Sequence, residues 1–184
     1  MRFWEPRIKA WQVHVLPGEL YVSRADEVIA TVLGSCVSAC VRDTRRKTGG
    51  MNHFLLPRPP NGDDAASARY GLYALECLVN AVSRGGGRRE DLEVKVFGGG
   101  RVIEGAGDIG RGNVAFVRKF FADEHIPILA EDVGGNVARR LRYWPLSGRV
   151  MVMHMPMTSA AKVVAQEAQV AATLEPGAGS VELF

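Results

Sequence analysis

A cysteine at position 36 follows Gly34-Ser35, directly after the apolar run Val28-Ile29-Ala30-Thr31-Val32-Leu33. A histidine follows seventeen residues later, at the end of Gly49-Gly50-Met51-Asn52-His53. A thiol is a weak nucleophile until it loses its proton, and a neighbouring imidazole can take that proton. Glycine lets the chain turn tightly and approach a ligand closely. Backbone N–H groups in such a turn can converge on one oxygen and form an oxyanion hole, here at Gly34 and Ser35. Together these residues describe acyl-transfer chemistry with Cys36 as nucleophile and His53 as base. Spacing alone fits another reading equally well: Cys36 as a small buried hydrophobe and His53 as a structural histidine.

The elements that must carry this pair are short. Val28 to Leu33 has the length and composition of a strand, ended by Gly34. Val37, Ala39 and Val41 alternate with Ser38 and Cys40 in a second strand. Asp43 to Gly50 reads as a polar turn, and Met51 to Leu56 as an apolar run stopped by Pro57. Cys and His would then sit on neighbouring strands. Cys36 and Cys40, four residues apart on a strand, would be roughly 13 Å apart, beyond disulfide reach. Three cysteines in all, with Cys77, suggest reduced thiols and a cytoplasmic setting.

Elsewhere, Pro17-Gly18 marks a turn between strands at Val13-Val15 and Leu20-Val22. Arg58 to Asp64 is a loop. Ala68, Leu72, Leu75, Leu78, Val79 and Val82 recur at helical spacing and end at Gly85-Gly86-Gly87. Leu92, Val94 and Val96 predict a half-buried strand, and Gly98 to Gly112 a glycine-rich loop. Val114, Val117, Phe120 and Phe121 predict a second helix, with His125 as a dipole partner at its C-terminus. Ile126 to Ala130 predicts a strand and Gly134-Gly135 a turn. Leu141/Tyr143 and Val150/Val152 predict two strands joined through Pro145 to Gly148. This mixture of many strands with two or three helices argues an α+β fold. Residues 1–158 form the expected domain, with a C-terminal helix and mobile tail over 159–184.

The net charge of +3 is scattered, without the basic stripe that nucleic acid requires. The N-terminal stretch lacks the apolar core of a secretory signal, and no apolar run is long enough to span a bilayer. His14, His53, His125 and His154 show no metal-ligand spacing, so no metal is expected. His14 and His154 read as structural strand residues, Cys40 and Cys77 as packing residues. Met151, Met153, Met155 and Met157 alternate, which predicts one packed face of an edge strand.

The runs TVLGSCVSACVRD and GGMNHFLLP resemble the signature of the CheD family of chemoreceptor glutamine deamidases. The resemblance continues through FGGG at 97–100, IGRGN at 109–113, Asp132-Val133-Gly134-Gly135 and Pro145 to Val150, covering about residues 12–154. It departs at Ala138-Arg139, where the family carries Gly-Arg. The resemblance implies an α+β fold of mixed sheets layered with helices, similar to the cytotoxic necrotizing factor type of cysteine deamidase. It implies Cys36 as nucleophile, His53 as base and Thr31 as the third, orienting member. The implied reaction converts receptor glutamine to glutamate through a Cys36 thioester, with no metal or organic cofactor. The implied partners are chemoreceptor cytoplasmic domains and a CheC-type phosphatase. A non-catalytic regulator that binds such partners is the alternative, and another cysteine amidase or protease the third reading.

Two further motifs compete for attention. Gly105 to Gly110 matches G-x-G-x-x-G, but it does not open directly off a strand and no second βαβ half follows. A loop beside the cleft is the better reading. Ala165-Gln166-Glu167-Ala168 resembles the Ala-rich Gln/Glu sites of receptor helices. A helix of that composition could imitate substrate and occupy the cleft. A plain Ala-rich helix is the preferred reading.

Overall fold

The computed structural model describes residues 1–56, 64–102 and 109–156, together with Ala165, Glu167 and Gln169. The chain runs through β1 (Arg2–Glu5), β2 (Ala10–His14), β3 (Leu20–Ser23), β4 (Glu27–Leu33), β5 (Val37–Asp43) and β6 (Thr48–Asn52). It continues through α1 (Asp64–Ser83), β7 (Leu92–Gly98), α2 (Ile109–Asp123), β8 (Ile128–Val133), β9 (Ala138–Trp144) and β10 (Arg149–Met155). Two five-stranded sheets result, ordered β1-β2-β4-β9-β10 and β3-β6-β5-β7-β8. Both are mixed: β2–β4 and β7–β8 pair parallel, and the other pairs are antiparallel. The architecture is α+β.

The second sheet is the middle layer. Val37, Ala39 and Val41 on β5 and Val94 and Val96 on β7 pack against Leu75, Leu78, Val79, Val82, Val117 and Phe121 of the helices. Cys40, Met51 and Phe97 point the other way, onto Ile29, Leu33, Leu141 and Tyr143 of the first sheet. A strand covered on both faces has no reason to alternate apolar with polar residues. That accounts for the near-continuous burial of β5. The apolar stripe of α1 follows the 3.6-residue period, and each fully buried leucine in it contributes about 1.5–3 kcal/mol.

Several elements differ from the sequence reading. The N-terminal residues form β1, paired with β2 from Arg2–Val13 to Glu5–Ala10. Only residues 44–47 of the expected 43–50 turn are a turn, because Asp43 ends β5 and Thr48, Gly49 and Gly50 already lie in β6. A Cβ on Gly49 would stand 2.5 Å from the Tyr143 hydroxyl, so the glycine there serves close packing within a strand. The glycine-rich segment after Gly98 ends earlier than expected, since α2 begins at Ile109. His125 takes a left-handed backbone (φ 57°), and its N–H closes the end of α2 on the Ala122 carbonyl at 3.1 Å. On the edge strand β10 it is Val150 and Val152 that pack inward, whereas Met151 and Met153 are exposed. The expected methionine face is therefore not the packed one. Most of the 58–64 loop, most of the G-x-G-x-x-G segment, Met157 and residues 170–184 lie outside the described residues.

Candidate active site

The chain changes sheets at the nucleophile. β4 belongs to the first sheet and β5 to the second, and Gly34-Ser35-Cys36 is the crossover between them. His53 follows β6, the neighbour of β5, and its backbone is held on both sides. Its N–H donates to the Glu19 carbonyl at 2.9 Å, and its carbonyl accepts from Gly18 N–H at 2.8 Å. On β4, Ile29 and Leu33 face the inter-sheet core, and Thr31, at the same parity, reaches across to His53.

The hydrogen bonds of Thr31 decide the imidazole tautomer. Thr31 Oγ1 lies 2.8 Å from the Val15 carbonyl and 2.8 Å from His53 Nδ1. A hydroxyl has one proton, and a carbonyl can only accept. The hydroxyl therefore donates to Val15 and accepts from a protonated Nδ1. In the neutral ring this leaves the lone pair on Nε2. That atom is buried and has no hydrogen-bond partner among the described residues. Cys36 Sγ, a His53 ring nitrogen and a Glu167 carboxylate oxygen all lie within 4.8 Å of one another.

The crossover is braced through its carbonyls. Gly34 O accepts from Gly100 N–H at 2.8 Å, Cys36 O from Gly99 N–H at 2.7 Å and Ser35 O from Asn113 Nδ2 at 3.0 Å. Gly98 permits this approach: at φ 108° a Cβ there would fall 2.3 Å from the Cys36 carbonyl oxygen. With the carbonyls tied back, the N–H groups of Gly34 and Ser35 face the cleft. Both are occupied by one carboxylate. Glu167 Oε1 accepts from Gly34 N–H at 2.7 Å, and Oε2 accepts from Ser35 N–H at 2.9 Å and Ser35 Oγ at 3.1 Å. The preferred reading of this segment as a plain Ala-rich helix is thus overturned at Glu167.

The electrostatics follow from that contact. Burial, together with the facing Glu167 carboxylate, pushes the Cys36 thiol well above its ordinary value. Burial works to raise the Glu167 carboxyl as well. Its interaction with His53, whose Nε2 lies 3.6 Å from Oε1, and its hydrogen bonds with the Gly34 N–H and the Cys36 thiol outweigh that and hold it below the usual carboxylate range. Thiol, imidazole and carboxylate form a donor set that zinc accepts. Here, however, both Glu167 oxygens are engaged by the N–H groups and hydroxyl of the turn.

Comparison with known proteins bears on the chain as a whole. A family model described as CheD chemotactic sensory transduction matches residues 55–154. A protein of Halorhodospira halophila is 43% identical over 192 residues, spanning 100% of this chain and 89% of its own length. One of Rhodopseudomonas palustris is 46% identical over 189 residues, with 100% and 89% covered. One of Xanthomonas campestris pv. campestris is 44% identical over 188 residues, with 100% and 94% covered. Each is named a probable chemoreceptor glutamine deamidase CheD. This chain belongs to the CheD family. The family-model match begins after His53, whereas the matches to the three CheD relatives cover 100% of this chain.

In this CheD-family chain the structure brings Thr31, Gly34, Ser35, Cys36 and His53 into one buried cluster. Sequence reasoning missed the residues that hold the turn. Gly98, Gly99 and Gly100 lay within recognised motifs without a role. Asn113 carried a readable signal, a polar side chain on the buried face of an apolar helix. The Val15 carbonyl carried none, because backbone atoms have no identity in sequence.

Proposed function

We propose that this protein hydrolyses glutamine side chains of chemoreceptors to glutamate, as its relatives' names describe for them. The observation that carries the reading is the hydrogen-bond chain Val15 carbonyl–Thr31 hydroxyl–His53 Nδ1, which leaves the lone pair on Nε2 of a ring that has a nitrogen within 4.8 Å of Cys36 Sγ.

In this reading Nε2 of His53 takes the Cys36 proton as sulfur attacks the carboxamide carbon. Gly34 and Ser35 N–H groups, which already donate to the negative charge of the Glu167 carboxylate, stabilise the resulting oxyanion. The imidazolium returns its proton to the leaving nitrogen, and ammonia departs from a Cys36 thioester. Water, deprotonated by the same nitrogen, adds to the thioester and releases glutamate and the thiol. Thr31 orients the ring and does not touch the reacting atoms, the place of a triad's third member. The raised Cys36 thiol fits proton transfer during attack, since little thiolate stands ready beforehand.

The proposed substrates are chemoreceptor cytoplasmic domains, which puts the protein in the cytoplasm. Among the described residues no helix is long and apolar enough to cross a membrane. A CheC-type phosphatase is the further partner that the family resemblance implies, tested by co-purification of the two proteins. The deamidase reading is tested by incubating the protein with receptor cytoplasmic fragments and following Gln-to-Glu conversion by peptide mass spectrometry. Conversion is expected with the native protein and not with Cys36→Ala. Equal conversion by both would remove Cys36 from the mechanism.

A further inference from the structure

Glu167 lies more than 130 positions from the turn that binds it, in a stretch where alanines flank Gln166-Glu167. Ala165, Glu167 and Gln169 have helical backbone. Ala165 and Gln169 are exposed, and Glu167 is 2% exposed. A helix thus presents one γ-carboxylate to the cleft. That group is what deamidation of a glutamine leaves behind. It meets the donors that would hold the reacting oxygen, and it stands beside the nucleophile and the base. The fit at the turn is close: a Cβ on Gly34 would come within 2.8 Å of Glu167 Oε2.

The same contact closes the site. Cys36 is 0% exposed and His53 2%. A substrate side chain cannot reach the thiol while the carboxylate holds both N–H groups. A glutamine keeps one acceptor oxygen for these donors, and its NH2, which can only donate, must turn away from them.

We propose that Glu167 is a built-in product analogue: its carboxylate occupies the catalytic turn, blocks the site, and is displaced by the substrate glutamine. This rests on the deamidase reading of the site and adds to it a regulation. The carboxylate also raises the Cys36 thiol, so its departure both opens and activates the nucleophile. Being tethered, it competes as a ligand at high effective concentration.

The test uses the full chain and two substitutions. Alkylation of Cys36 by iodoacetamide, separated from Cys40 and Cys77 by peptide mass spectrometry, is compared between the native protein and E167A. The rate at Cys36 is expected to rise about tenfold or more when the charge-assisted contacts are lost. An unchanged rate overturns the proposal. In E167Q the seated side chain becomes a substrate: amide plus water gives carboxylate plus ammonium. Position 167 of E167Q is expected to gain about 1 Da as the amide is hydrolysed through the thiol, and C36A/E167Q is expected to keep its amide. An amide that persists in E167Q, in a preparation that still deamidates receptor fragments, overturns the product-analogue assignment. Receptor fragments left unchanged by both the native protein and E167A would sink the deamidase reading instead, while the alkylation rates still report whether Glu167 covers Cys36.

Discussion

Two glutamates are buried among the described residues, and their partners differ in kind. Glu27, at the start of β4, accepts from the Ser23 hydroxyl at 2.5 Å, the Tyr21 hydroxyl at 3.0 Å and the Arg2 guanidinium at 3.0 Å. Those are side chains matched to a permanent carboxylate, with a cation among them. Glu167 is held by two backbone N–H groups and a hydroxyl beside a thiol and an imidazole. Backbone donors aimed at one group do not discriminate between a carboxylate and any other negatively charged oxygen. The first arrangement is a structural clasp that ties the N-terminus to the sheet. The second is a seat. Buried charge alone does not mark a functional site; the nature of the donors does.

That contrast makes the two regions separable by experiment. Substitutions at the seat should change chemistry and spare stability, and substitutions at the clasp should do the reverse. The largest effect is expected at the thiol and its base. Cys36→Ala or His53→Ala should lower receptor deamidation by about 10⁴-fold or more, with a melting temperature close to the native one. A large loss of stability in Cys36→Ala would break the distinction. Thr31→Val removes the hydroxyl that sets the tautomer, and should reduce kcat by roughly 10²-fold with little change in KM. A KM effect of similar size would assign Thr31 to binding instead.

At the clasp, Glu27→Ala leaves two hydroxyls and a guanidinium without their acceptor. It should cost about 2–3 kcal/mol in denaturant unfolding while turnover per folded molecule stays unchanged. Its pH dependence has a definite sign. Burial opposes the Glu27 charge, but the hydrogen bonds from Ser23, Arg2 and Tyr21 and the Arg2 charge leave the folded carboxyl below its ordinary value. A lowered folded value means stability that is fully present above the unfolded pKa. It is lost as pH falls through the folded one. Glu27→Gln should therefore flatten the acid side of the stability profile, measured by thermal melts from neutral to acidic pH. An unchanged slope would show that Glu27 is not linked to folding. The smallest change is expected from Tyr21→Phe, about 1 kcal/mol of stability, with the acid slope only partly reduced.

Much of the fold was legible because local pattern and tertiary demand agree. The stripe Leu75, Leu78, Val79, Val82 predicts α1, and it is what packs on β5. The runs at 28–33 and 149–155 emerge as β4 and β10. Legibility ended where a residue's role depends on a distant strand. Gly49 looks like a turn residue until Tyr143 is seen against it. The methionines of β10 look like a packed face because alternation reveals two faces without saying which is inside. The N-terminal strand has no strong pattern of its own and forms because β2 offers an edge.

By itself, the sequence determined which atoms can react. A thiol after Gly-Ser and an imidazole two short strands later define the chemistry, since nucleophilicity and basicity belong to residue types. It determined the family through motifs in a fixed order. Tertiary structure alone decided how those atoms are used. The tautomer of His53 depends on the Val15 carbonyl, brought near only by the pairing of β2 with β4. The open N–H pair exists because Gly99, Gly100 and Asn113 tie back the carbonyls of the turn. The carboxylate that fills the pair comes from position 167, far away in sequence. Hydrogen bonds are directional and short, so such contacts are settled only when the folded chain fixes both partners in space.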